Sequence, residues 1–189
     1  MKRLVYLISP DKIYKNFYID LNKVLKFKNV KYFQLRIKKT PRQKIIQIAK
    51  KIRVITKKHG VKLIINDNAE IANTINADGC HIGRSDGTFA YAKRYIKDKI
   101  IGVTCHGSKI LAQKALKNKA TYIAFGSFYK SKLKPKAKKA DLKILIWAKR
   151  KVKKPIVVIG GITDKNYKKL INEGANYIAI SSFIWDNPV

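Results

Sequence analysis

Eight short apolar runs rich in β-branched residues recur along the chain, separated by stretches that carry helical periodicity. They are Leu4–Ser9, Tyr32–Arg36, Lys62–Asn66, Gly79–Ile82, Ile100–Thr104, Tyr122–Phe125, Ile156–Ile159 and Tyr177–Ser181. Most are apolar at nearly every position, which predicts a parallel sheet covered by helices. The clearest intervening helix is Pro41–His59, where Ile45, Ile48, Ala49, Ile52 and Ile55 form a stripe and Pro41 suits a first-turn position. Tyr167, Leu170 and Ile171 repeat that spacing further on, and Gly174 suits the C-terminal cap. A closed barrel and an open doubly wound sheet both satisfy this alternation. Eight repeats favour the α/β barrel, a (β/α)8 TIM barrel made by residues 1–189 as one domain. Only Ser182–Val189 follow the eighth run, too few for the usual closing helix. The barrel is therefore expected to lack that helix, or the chain to be truncated, with the seam between first and eighth strands exposed.

No apolar run approaches the roughly 18 residues of a membrane span. The start, Met1-Lys2-Arg3 before Leu4–Ile8, is too short and too quickly polar for a signal peptide, so the chain is expected to be cytoplasmic and away from membranes. Cys80 and Cys105 lack the CxxC spacing of a metal or redox site and are expected to pack as small apolar residues. The formal net charge is +32, from 43 Lys plus Arg against 11 Asp plus Glu. The lysines are spread over almost every segment and form no single stripe, a pattern of general compositional bias that does not point to nucleic acid. Such a charge still attracts polyphosphates.

In a barrel of this kind, chemistry sits at the C-terminal strand ends. Gln34, Arg36 and Lys38 share a face by period-two alternation and would suit an anionic, hydrogen-bonding ligand; two more surface cations is the plainer alternative. Asp67 follows the third strand and Asp86 the fourth. Two carboxylates there could hold Mg²⁺, which shares itself with substrate phosphates, or could be helix caps and turn residues. Thr104 offers a hydroxyl, and His106 reads as a polar residue opening a loop. The basic segment Gly126–Lys134 looks like a phosphate-gripping lid, although solvated charge is the commoner meaning of such a run. Gly160-Gly161 and Ser181-Ser182 fall after strands seven and eight, the recurrent phosphate site of these barrels. Physical chemistry alone leads to a Mg²⁺-dependent barrel enzyme with two anionic subsites.

The ordered series of strand-end blocks resembles the thiamine phosphate synthase family over nearly the whole chain. The blocks are Gln34–Lys38, Ile65–Asp67, Ala77–Gly83 with Asp86, Ile101–His106, Ala124–Tyr129, Val158–Ile162 and Ala179–Ser182. The resemblance implies a transferase that joins hydroxymethylpyrimidine diphosphate to hydroxyethylthiazole phosphate, releasing pyrophosphate by a Mg²⁺-assisted dissociative substitution. It implies that Gln34, Arg36 and Lys38 bind the pyrimidine diphosphate, Asn66 the pyrimidine, and Asp67 and Asp86 the Mg²⁺. Thr104 would meet the diphosphate and Lys134 the departing pyrophosphate, with Arg36 and Lys38 also catalytic. Gly161, Ser181 and Ser182 would hold the thiazole phosphate, as would the loop Ser131, Lys132, Leu133 and Lys134. That loop departs from the family's Thr-x-Thr-Lys by placing Leu133 where a hydroxyl is usual, and Arg84 replaces the usual Gln. The competing readings are a thiazole tautomerase-like relative, resting on His106, and a degenerate phosphate-binding barrel without synthase activity. A homo-oligomer is compatible with all three.

Overall fold

The structure, a computed structural model, describes residues 4–27, 29–83, 89–130 and 138–186. The elements alternate as β1 (Val5–Ile8), α1 (Phe17–Phe27), β2 (Val30–Leu35), α2 (Arg42–Lys58), β3 (Lys62–Asn66), α3 (Ala69–Thr74), β4 (Gly79–Ile82) and α4 (Phe89–Tyr95). They continue as β5 (Ile100–His106), α5 (Lys109–Lys117), β6 (Tyr122–Gly126), α6 (Lys143–Lys151), β7 (Ile156–Ile159), α7 (Tyr167–Asn172), β8 (Tyr177–Ile180) and α8 (Ser182–Trp185). The strands close into a barrel in sequence order. Every pairing is parallel.

Alternation sorts the strand side chains into two apolar groups. Leu7, Phe33, Leu63, Ile65, Cys80, Ile101, Cys105, Ile123, Phe125, Val158 and Ile178 belong to the layer packed beneath the helices. Their neighbours Tyr6, Ile8, Tyr32, Ile64, Tyr122, Ala124, Val157 and Ala179 fill the barrel interior. This is why the strands read as continuously apolar: both faces are buried, one by helices and one by the opposite wall. The interior combines bulky tyrosines with very small residues. A side chain at Gly102 would run into the Tyr122 ring, and one at Gly79 into the Ile100 backbone. Both cysteines are buried as expected, and burial pushes the Cys105 thiol up to about 12.

The long helix α2 buries Ile48, Ala49, Ile52 and Thr56, while Pro41 occupies the N-cap position, one place before the first-turn position expected of it. Gly174 follows α7 at a φ of 112°, the left-handed stop expected there. In place of a missing closing helix, the single turn α8 follows β8 and packs over the end of β1. The Trp185 indole N–H donates to the Ile8 carbonyl at 2.6 Å, and its ring lies 5.3 Å from the fully buried Phe17 of α1. The seam is closed as well, with Val5, Tyr6 and Leu7 in register with Ile178, Ala179 and Ile180.

Candidate active site

The strand ends converge on one mouth. At the end of β1, the Ser9 N–H donates to the Gln34 carbonyl at 2.9 Å. The Ser9 hydroxyl accepts from the Arg36 N–H at 2.9 Å, and its carbonyl accepts from the Ser181 hydroxyl at 3.1 Å. Ser9 thus ties two expected site segments, Gln34–Lys38 and Ala179–Ser182, to the end of β1. The Arg36 guanidinium pairs with Asp11 at 2.8 Å, Arg36 being mostly buried and Asp11 half exposed. Because β2 ends at Leu35, strand alternation does not carry as far as Lys38, which is exposed. Gln34 is 3 % exposed and turned into the interior, where its amide donates to the Tyr6 hydroxyl at 3.0 Å.

Asn66 ends β3, and its amide donates to the Asp67 carboxylate. Asp67 has a φ of 62°, a left-handed conformation that Asp tolerates better than most residues. Its N–H donates to the His81 carbonyl at 2.8 Å, continuing the ladder to β4 by one rung. The helix-cap alternative for Asp67 does not hold, since Asn68 caps α3 by accepting from the Ile71 N–H at 2.8 Å. The Asp67 carboxylate stands at the mouth in half-buried surroundings, a hard oxygen donor suited in kind to Mg²⁺. Its expected companion Asp86 lies outside the described residues, as do Ser131, Lys132, Leu133 and Lys134. Among the described residues no group of three or more His, Cys, Asp or Glu forms a metal cluster.

Thr104 sits on β5, half buried, with its hydroxyl 2.8 Å from His81 Nε2. His106 ends β5, exposed and at a φ of 51°. On the other side of the mouth, the segment after β6 is bonded to the end of β7: Phe128 N–H donates to the Ile159 carbonyl and Tyr129 N–H to the Gly160 carbonyl. Gly161 has a φ of 59° and packs so closely on the Lys130 backbone that no side chain fits. Ser181 and Ser182 stand at the start of α8, half buried.

Sequence reasoning missed the polar interior below this mouth. Tyr6 and Tyr122 are fully buried with their hydroxyls 2.7 Å apart, and His81 Nδ1 lies 2.9 Å from the Tyr122 hydroxyl. Burial raises the ionisation of both phenols well above the ordinary range, so both stay protonated. Their signal was present as tyrosines at inward positions of β1 and β6, but tyrosine is also an ordinary strand former. Asp11 was missed because a partner for Arg36 in the β1 loop is 25 residues distant.

A sequence profile described as thiamine monophosphate synthase matches residues 5–184. The thiamine-phosphate synthase of Pelagibacter ubique (strain HTCC1062) is 49% identical over 187 residues, covering 98% of this chain and 90% of the relative. That of Erythrobacter litoralis (strain HTCC2594) is 36% identical, covering 96% and 87%. Among solved structures, a thiamine phosphate pyrophosphorylase from Pyrococcus furiosus superposes with a TM-score of 0.85 at 27% identity, over 95% of this chain and 86% of that one. A 3-hexulose-6-phosphate synthase, at 19% identity and a TM-score of 0.68, shares the fold alone. With barrel, strand-end residues and near-complete matches in agreement, this chain is a transferase belonging to the thiamine monophosphate synthase family.

Proposed function

We propose that this chain, acting as one barrel domain, condenses hydroxymethylpyrimidine diphosphate with hydroxyethylthiazole phosphate to give thiamine phosphate and pyrophosphate. The observation that carries the reading is Asp67: a carboxylate relieved of helix capping by Asn68 and placed at the mouth beside Asn66. Mg²⁺ held by Asp67 and Asp86 would supply positive charge for the leaving diphosphate.

The chain's own residues do the rest. Gln34, Arg36 and Lys38 bind the pyrimidine diphosphate, with Arg36 already oriented at the mouth by Asp11. Asn66 hydrogen-bonds the aminopyrimidine, and Thr104 donates its hydroxyl to the diphosphate. Lys134 steadies the pyrophosphate as its bond to the pyrimidine methylene breaks. The electron-rich ring supports the transient cation, and the thiazole nitrogen then attacks it. Gly161, Ser181 and Ser182, with the Ser131–Lys134 loop, hold the thiazole phosphate. The fixed cations and donors act as preorganised stabilisers of developing negative charge, so no protein nucleophile is needed.

Incubating the purified protein with both substrates and Mg²⁺ should yield thiamine phosphate and pyrophosphate in equal amounts. Absence of product together with isomerisation of a carboxylate thiazole phosphate would overturn the assignment in favour of a tautomerase. Asp67→Asn keeps a side chain that tolerates the left-handed backbone, yet should lower turnover by about 100-fold or more. Unchanged turnover would remove the metal from Asp67.

A further inference from the structure

The five side chains that cross the barrel interior differ in what they can give and take. The Gln34 amide nitrogen only donates, and it donates to the Tyr6 oxygen at 3.0 Å. A buried hydroxyl must place its own proton, and the Tyr122 oxygen is 2.7 Å away from that of Tyr6. A Tyr122 hydroxyl that accepts there is left to donate to His81 Nδ1, 2.9 Å away, while keeping its proton. A neutral imidazole that accepts at Nδ1 carries its proton on Nε2, which lies 2.8 Å from the Thr104 hydroxyl oxygen. Thr104 then accepts from inside and keeps its own proton for something outside.

We propose that Gln34, Tyr6, Tyr122, His81 and Thr104 form a hydrogen-bond chain of one direction, making His81 and Tyr122 positioning residues that hold the Thr104 hydroxyl as a donor to an anion. The surrounding architecture supports a fixed direction. Gln34 is 3 %, Tyr6 2 % and Tyr122 0 % exposed, so solvent does not compete for these groups. The His81 and Tyr122 rings stack at an interplanar angle of 17°, which limits ring rotation. The Tyr122 ring lies where a side chain on Gly102 would be, so the phenol reaches across the interior only because that residue is glycine. The chain spans β1, β2, β4, β5 and β6, linking two substrate-binding candidates, Gln34 and Thr104, that no local contact joins. The direction follows from the Gln34 amide nitrogen facing the Tyr6 hydroxyl; the role as anion donor rests on the proposed function.

The tautomer is measurable directly by imidazole ¹⁵N NMR on the full chain at pH 8, with the His81 signal assigned by its loss in His81→Gln. The expected result is the Nε2–H tautomer; an Nδ1–H tautomer in the unmodified protein overturns the direction. Tyr122→Phe, which keeps the ring, should convert His81 to a mixture of tautomers and lower kcat/KM by about tenfold. Thr104→Val should lower it comparably while leaving the tautomer intact, and the double variant should lose little more than Thr104→Val alone. Fully additive losses would show that Tyr122 acts only on stability and overturn the positioning role. Should turnover be absent in the unmodified protein, the same cycle is read from the affinity for inorganic pyrophosphate with Mg²⁺. The tautomer then still tests the direction, while the synthase reading fails separately.

Discussion

At the scale of single residues, the barrel interior is governed by the pairing of one large side chain with one absent one. Tyr122 occupies the space that a Cβ on Gly102 would enter. Gly102→Ala should destabilise the fold by about 3 kcal/mol, because the strand backbone and a buried, hydrogen-bonded phenol must both move. Chemical denaturation checks this, and Gly102→Ala combined with Tyr122→Ala should recover part of the loss. The positions of the candidate site residues were legible in the sequence to the extent that they lie on strand ends. Gln34, Asn66 and Thr104 could be placed by counting along a strand, and they do face the interior or mouth. Tyr6, Tyr122 and the inward role of His81 were not legible. Their meeting depends on how far each strand is offset from its neighbour around a closed barrel, and no local pattern encodes that offset.

Between elements, a surface cluster joins three consecutive helices. Arg42 of α2 pairs with Glu70 of α3 at 2.6 Å, and Tyr91 of α4 donates to the same carboxylate. The Tyr91 hydroxyl first, and Arg42 second, hold the Glu70 carboxyl down to about 2. The unfolded chain binds that proton near the ordinary Glu value of about 4.3, so the stabilisation is present above that pH and lost as pH falls toward 2. Glu70→Gln should therefore be less stable than the unmodified protein at pH 6, with the difference shrinking by pH 3, as followed by urea unfolding. The last turn offers a second test. Trp185→Ala removes a hydrogen bond to Ile8 and the packing on Phe17, at a cost of about 2 kcal/mol. Thermal unfolding measures it, and Trp185→Phe should recover the packing part alone. The existence of α8 escaped sequence reading because one turn of Ser-Phe-Ile-Trp carries too few residues to show a period. The long α2, by contrast, was legible to within one residue at each end, since five positions of one stripe reported it.

Over the whole molecule, the +32 charge opposes the compact state. Four ion pairs within 4 Å between described residues offset part of it, two of them sharing Asp78. Salt screens the remaining repulsion, and relief of about 1 kcal/mol moves the Tm of a chain this size by about 3 °C. Raising NaCl from about 0.05 to about 0.3 M should therefore raise Tm while lowering kcat/KM, because the same field draws in diphosphate substrates. A Tm that falls with salt would show the surface charge to be compensated. The barrel itself was the most legible feature, because eight buried parallel strands need eight apolar runs. How its ring closes was not, since it depends on residues such as Ser9 and Ser181, bonded to each other though 172 positions apart. That separation has a consequence for biosynthesis. While the chain leaves the ribosome, the first strand emerges with one edge that only the eighth can cover. Every nascent intermediate before that moment carries an open, adhesive edge, so the time spent translating all the residues between the first strand and the eighth sets how long a chaperone has to shield it.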